Sequence, residues 1–429
     1  MNQYPALSSI PLELFAAIID ALGDTKTSDN CKSLMACSLV CHYFLPLCQR
    51  HIFRTVVVNQ NQRSDIFTPT ASSLSFAQVI SKSPILATYI KKLVYCITAS
   101  DLNHALADKV AAALQQIDSL QSLVLNCYVL QGPSSDDEEL NGRRPIAEFE
   151  RRLVWDELPL RPSFRRLLQL PTTRGLTVAN KIVGFSLQDL GPAVKSLSLG
   201  KATSDLSLDG FDYAGPPPAI TELLVYDIQT AETLVVGKRS DGHPLLFFTD
   251  VKKFAFVWCQ SSRSVELCRK LVSKMETLRN FDTLVFSNFS LKGLAEGLAP
   301  ANIAKTLKHL AVSLYILGSE GETPFKALSE ELKEMKGNNV LLTIAITITI
   351  PDNCTCATGQ VWNRFDEILT SSGSWPCLKK VRIEFRISRK WRQLGDFDRD
   401  LANLTSTHMR KLTSSSSVDL KLKCTDRHD

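Results

Sequence analysis

The sequence predicts an α/β protein in which parallel strands and helices alternate along most of the chain, behind a short all-helical N-terminal segment. Three observations carry this reading. A six-residue pattern of apolar, two others, apolar, one other, apolar recurs down the chain. The stretches between its copies place apolar residues at helical spacing. Residues 10–53 hold three short amphipathic helical patterns.

In the N-terminal segment, Leu14, Ile18 and Leu22 recur at i, i+4 and i+8 behind Pro11, which suits a first helical turn. A polar gap, Gly23 to Asn30, follows, with Ser28 or Asp29 placed to cap a second helix carrying Leu34, Cys37, Val40 and Cys41. Pro46 opens a third, with Leu47 and Phe53. Helices this short leave apolar surface for a partner. Thr55 to Asn59 is a β-branched run that ends the module, and Ser72 to Lys82 again has helical spacing.

The six-residue pattern begins at Ile90-Lys-Lys-Leu93-Val-Tyr95. It returns at Leu120, Val194, Ile220, Val251, Phe281, Leu307, Leu341 and Leu378, with weaker copies at Thr173 and Ser417. Starts lie mostly about 25 to 40 residues apart, room for one strand and one helix. Asn103 to Asp118, Ser264 to Leu278 and Phe325 to Lys336 supply the helical faces. Parallel strands joined by right-handed crossovers stack into a solenoid. Within each copy the second and third apolar residues point into the core and the residues beside them to the opposite, concave face. That assigns Lys253, Ala255, Thr283, Val285, His309, Ala311, Lys380 and Arg382 to the concave face as candidate target contacts.

The run Ile10-Pro11-Leu12-Glu13-Leu14, Ile18-Ile19, Leu22, Leu34, Cys37, Leu39-Val40-Cys41, Phe44 and Ile52-Phe53 resembles an F-box. The units behind it resemble degenerate leucine-rich repeats, in which only Cys259 stands where the repeat normally carries an asparagine or cysteine. The layout is similar to F-box families expanded in mushroom-forming fungi. The resemblance implies a three-helix F-box over 1–58 and a leucine-rich-repeat-like recognition solenoid over 59–429, with an insertion or loop near 131–145. It implies binding to a Skp-type adaptor and through it to a cullin, as the substrate-recognition subunit of an SCF-type ubiquitin ligase. The docking residues would be Ile10, Pro11, Leu14, Ile18, Leu34, Leu39, Val40, Phe44 and Leu47. A contrasting reading is a protein-interaction scaffold whose N-terminal helices only cap the repeats.

Composition bounds the alternatives. A formal charge of +5 over 429 residues is small for a nucleic-acid binder. The N-terminus lacks a signal-peptide pattern and no apolar run approaches ~18 residues, so a soluble cytoplasmic or nuclear protein is expected. The 12 cysteines are then expected as thiols. Cys31, Cys37, Cys41, Cys48, His42 and His51 crowd together without the paired spacing of a zinc site, so packing is the expected role. Cys354, Cys356 and Cys377 form no tetrahedral set. No phosphate loop, nucleophile elbow, dinucleotide fingerprint or zinc-protease helix occurs, so neither catalysis nor a cofactor is expected. Lys379 to Arg392 has seven basic residues and one acid, with Lys380, Arg382, Glu384 and Arg386 on one strand face; with no basic stripe to extend it, it reads as a charged surface strand. Gly215-Pro-Pro-Pro218 reads as a stiff connector.

Overall fold

The computed structural model describes residues 12–24, 28–59, 70–127, 153–178, 182–200, 206, 217–257, 262–286, 291–315, 323–337, 339–350, 359–387 and 401–426. The fold is α/β and built on parallel sheet. The chain divides into two compact units, Met1–Pro218 and Ala219–Asp429, so the Pro-rich stretch ends at the division. The expected loop near 131–145, Cys259, Cys354 and Cys356 lie outside the described residues.

The first unit opens with helices α1 (Leu12–Asp24), α2 (Ser28–Ser38) and α3 (Phe44–Ile52). Their interior is Ile19, Leu34 and Cys48, with Leu22, Cys37, Phe44, Leu47 and Ile52 packed partly against it. Pro46 sits inside the first turn of α3 rather than opening it, where its missing N–H costs no helical bond. The second helix stops at Ser38, so Val40 and Cys41 lie in the turn after it and are exposed.

Strand β1 (Thr55–Val58) follows at once. It pairs on one side with β2 (Thr70–Ala71) and on the other with β3 (Lys92–Ile97). Next come β4 (Ser122–Cys127), β6 (Gly175–Val178) and β8 (Ser196–Leu199), each parallel to the strand before it in the sheet. A separate pair, β5 (Leu153–Val154) with β7 (Ile182–Val183), stands outside that sheet. Helices α4 (Ser73–Lys82), α5 (Ile85–Tyr89), α6 (His104–Leu114) and α7 (Arg161–Gln169) lie between strands. Phe53-Arg-Thr-Val56-Val-Val58 is thus a further copy of the six-residue pattern. The β-branched run after Phe53 belongs to the sheet, so the expected boundary at 58 falls at the end of a sheet strand.

In the second unit strand order follows chain order: β9 (Glu222–Val225), β10 (Lys253–Val257), β11 (Asn280–Phe286), β12 (His309–Tyr315), β13 (Thr343–Ile350), β14 (Lys380–Ile387) and β15 (Asp419–Asp426), every neighbouring pair parallel. Parallel neighbours need a crossover. The crossovers carry α8 (Ile228–Val236), α9 (Ser262–Ser273), α10 (Leu294–Gly297), α11 (Ala301–Thr306), α12 (Thr323–Glu334), α13 (Gly359–Thr370) and α14 (Arg410–Thr413). Their apolar faces, such as Leu267, Cys268, Leu271 and Val272 of α9, are buried along with one set of alternate strand residues.

One hydrogen-bond arrangement recurs and explains the two variable positions of the pattern. At most steps the carbonyl just before a strand accepts two consecutive N–H groups from the next. Lys252 O takes Arg279 N and Asn280 N, both at 2.9 Å. Arg279 O takes Lys308 N at 2.8 Å and His309 N at 2.9 Å. Lys308 O takes Leu342 N and Thr343 N, and Leu342 O takes Lys379 N and Lys380 N. The same double acceptance runs through Arg54, Lys91, Gln121 and Arg174 in the first unit. The side chains there need only stay out of the core, while the apolar residue ahead of them, such as Val251, Leu278 or Leu307, anchors the turn inside.

Candidate functional site

Two surfaces carry the residues expected to contact partners. On the N-terminal helices and in the turn after α2, apolar side chains outside the Ile19, Leu34 and Cys48 core are open to solvent. Leu14 is 54% exposed, Ile18 55%, Leu39 87% and Val40 70%. Met35 and Tyr43 are exposed beside them in sequence. The helices hold this arrangement through an ionic tie: the Asp20 carboxylate accepts from Arg50 and lies 2.7 Å from His51 Nε2. The His51 contact, and then Arg50, hold the Asp20 carboxyl below its ordinary range. The Phe15 and Phe44 rings, 5.2 Å apart, add a contact between α1 and α3.

Leu34 does not belong to this surface. It is buried against Ile19 and Cys48, because α2 turns that face toward α1 and α3. Phe44 and Leu47 are half-buried at the edge of the same core. Ile10 and Pro11 lie outside the described residues.

The second surface is the sheet face of the second unit that the helices do not cover. Register fixes which side chains stand in line. One row reads Glu222, Lys253, Asn280, His309, Thr343, Lys380, Asp419. The next reads Leu224, Ala255, Asp282, Ala311, Ala345, Arg382, Lys421. Lys253, Ala255, His309, Ala311, Lys380 and Arg382 are therefore on this face, half-buried or exposed.

Thr283 and Val285 are not. Both are buried, Thr283 level with Phe256 and Val312 and Val285 level with Leu314. Phe281 aligns with Phe254 and Leu310, so this copy begins at Leu278, three residues before the position read from the sequence. The pattern is Leu278-Arg-Asn-Phe281-Asp-Thr283, with a threonine in the last apolar place, and the equally spaced Phe281, Leu284 and Phe286 displaced the reading. Asp282 is the residue this slip concealed; it takes the exposed place assigned to Thr283.

Charges on the face are unevenly matched. Lys253 pairs with Glu222 at 2.6 Å and Lys380 with Asp419 at 3.7 Å. Arg386 bonds Glu384 at 3.2 Å, and Thr425 donates to the same Glu384 oxygen. Arg382 forms no ion pair among the described residues and has Ala345 and Lys421 on its flanks. Burial, then the charge of Lys308 and then that of Arg382, hold the His309 pKa below the usual imidazole value. Asp282 is reached by solvent, yet crowding by the neighbouring strands raises its pKa. Tyr226 is raised as well, first by burial and then by the Asp282 charge.

The cysteines of the N-terminal helices spread out. Cys48 is in the core, Cys31 and Cys37 are half-buried and Cys41 is exposed. Among the described residues no group of three or more His, Cys, Asp or Glu is placed to hold a metal ion. Among them too, no helix is long and apolar enough to cross a membrane.

In comparisons with protein-family models and with curated proteins, the sequence matches none.

Proposed function

We propose that this chain is a non-enzymatic substrate adaptor of an SCF-type ubiquitin ligase: an F-box-like helical module docks a Skp-type protein, and a leucine-rich-repeat-like solenoid receives a protein target. The observation that carries the reading is the exposure of Leu14, Ile18, Leu39 and Val40 on a module that already has its own interior in Ile19, Leu34 and Cys48. A module serving only as a cap would bury such residues against the repeats. Leu14 and Ile18, one turn apart on α1, and the adjacent Leu39 and Val40 are apolar side chains open to water, a cost that a covering partner removes. Consecutive parallel strands with a helical crossover between most of them, and an uncovered face, support the solenoid half of the reading. Function would then rest on proximity, a bound target being held near a ubiquitin-charged enzyme that other subunits bring.

The test is co-purification of the full chain with a Skp-type adaptor, beside a Leu14→Ala, Leu39→Ala, Val40→Ala variant of unchanged thermal stability. Stoichiometric capture by the parent and loss in the variant support the proposal. Absence of capture by both leaves the scaffold reading in its place.

A further inference from the structure

The double-acceptor carbonyls place Lys252, Arg279, Lys308, Leu342 and Lys379 in one continuous line along the N-terminal rim of the second unit's sheet, each bonded through the backbone to the next. Lys252, Arg279, Lys308 and Lys379 are exposed. None of them forms an ion pair among the described residues, in contrast to Lys253 and Lys380 one step along their strands. A basic stripe that no single stretch of sequence contains is therefore present, spread over residues 127 positions apart in the chain. Lysines free in solution repel one another and disperse; here the hydrogen-bonded turns fix their spacing to that of parallel strands, about 4.8 Å per step.

We propose that this rim binds an extended acidic segment of a protein, with its carboxylates on the four cations and an apolar side chain on Leu342. The inference rests on the reading above that the second unit receives a protein target, and it names the chemistry of that target. From β10 to β14 the row covers four strand steps, about 19 Å, which matches roughly six residues of extended peptide. Charge complementarity decides the sign of the partner. A nucleic acid fits less well. The row is short, an aliphatic residue interrupts it, no aromatic side chain lies in it for base stacking, and Asp282 and Glu384 stand on the adjoining face. Asp250 and Glu276, just ahead of Lys252 and Arg279 in the chain, are exposed and leave the row unpaired.

The experiment uses the full chain and fluorescence anisotropy with a labelled peptide of glutamates around a central leucine, its glutamine counterpart, and an oligothymidylate of equal charge. No adaptor is present, so failure here is separate from failure of the co-purification. The glutamate peptide should bind, and binding should fall at least about tenfold for the glutamine peptide and on raising salt to about 1 M, where the screening length shrinks to ~3 Å. Lys252→Gln, Arg279→Gln, Lys308→Gln and Lys379→Gln combined should lower binding as far, whereas Lys305→Gln, Lys326→Gln and Lys333→Gln, also exposed, should not. Should the fourfold variant unfold, Leu342→Glu alone puts a carboxylate in the middle of the row and should give the same loss. No binding by the parent at about 1 mM peptide, equal binding by the rim variants, or oligothymidylate binding at least as tightly overturns the proposal.

Discussion

His51 Nε2 lies 2.7 Å from the Asp20 carboxylate, and this contact, with Arg50 on the same oxygen, fastens α3 to α1. It is the polar counterpart of the small Ile19, Leu34 and Cys48 core.

Asp20 gives the module a pH dependence. Its carboxyl is held below its ordinary value in the fold, so its contribution is present above the unfolded carboxylate pKa and is lost as pH falls through the folded value. The parent should lose stability from about pH 5 downward, and Asp20→Asn should flatten that limb while lowering stability at neutral pH. Thermal melts of both proteins across the acid range check it; parallel limbs would count against the tie.

Gly23 leaves room for the same histidine. A Cβ there would stand 2.1 Å from His51 Nδ1, so the ring must move and the Asp20 contact must break. Gly23→Ala is therefore expected to destabilise the fold by about 1–3 kcal/mol in urea unfolding, despite the better helix propensity of alanine.

Thr283 tests the strand register. Its hydroxyl is buried without a hydrogen-bond partner among the described residues, level with Phe256 and Val312. Thr283→Val should stabilise by about 1 kcal/mol, and Thr283→Asp should be strongly destabilising. An exposed position would show neither effect, so denaturation curves of the two variants separate the alternatives.

Asp101 closes a buried polar network in the first unit. Its carboxylate accepts from Tyr95 Oη at 2.7 Å, Asn59 Nδ2 at 3.0 Å and Thr98 N at 2.8 Å, and from Ser73 Oγ. Burial, and then the Asp101 charge, push the Tyr95 phenol far above its usual range. Asp101→Ala strands several donors and should cost about 3 kcal/mol or more, against about 1 kcal/mol for Tyr95→Phe. Chemical denaturation measures both.

Leu39 and Val40 should behave in the opposite way. Both stand in the open turn after α2, so Leu39→Ala and Val40→Ala are expected to shift stability by no more than about 0.5 kcal/mol. A large loss in a calorimetric scan would mean that they pack within the protein.

The α/β class, the alternation of strand and helix and the core positions of nearly every strand follow from local sequence, because burial on a parallel strand demands the same two apolar places in every copy. The exposed face of β14, with Lys380, Arg382, Glu384 and Arg386 on one side and Val381, Ile383, Phe385 and Ile387 on the other, was legible for that reason. Three things were decided only by tertiary structure. Register between β10, β11 and β12 chose Thr283 over Leu284 for the core, since a neighbouring strand and not hydrophobicity alone sets which alternate residues face inward. Helix packing chose Ile19 over Ile18 and hid Leu34, since both faces of α1 are apolar and only its neighbours determine the buried one. The rim of Lys252, Arg279, Lys308 and Lys379 became a surface only when hydrogen bonds between strands brought residues dozens of positions apart into one line, a proximity that no local window of sequence contains.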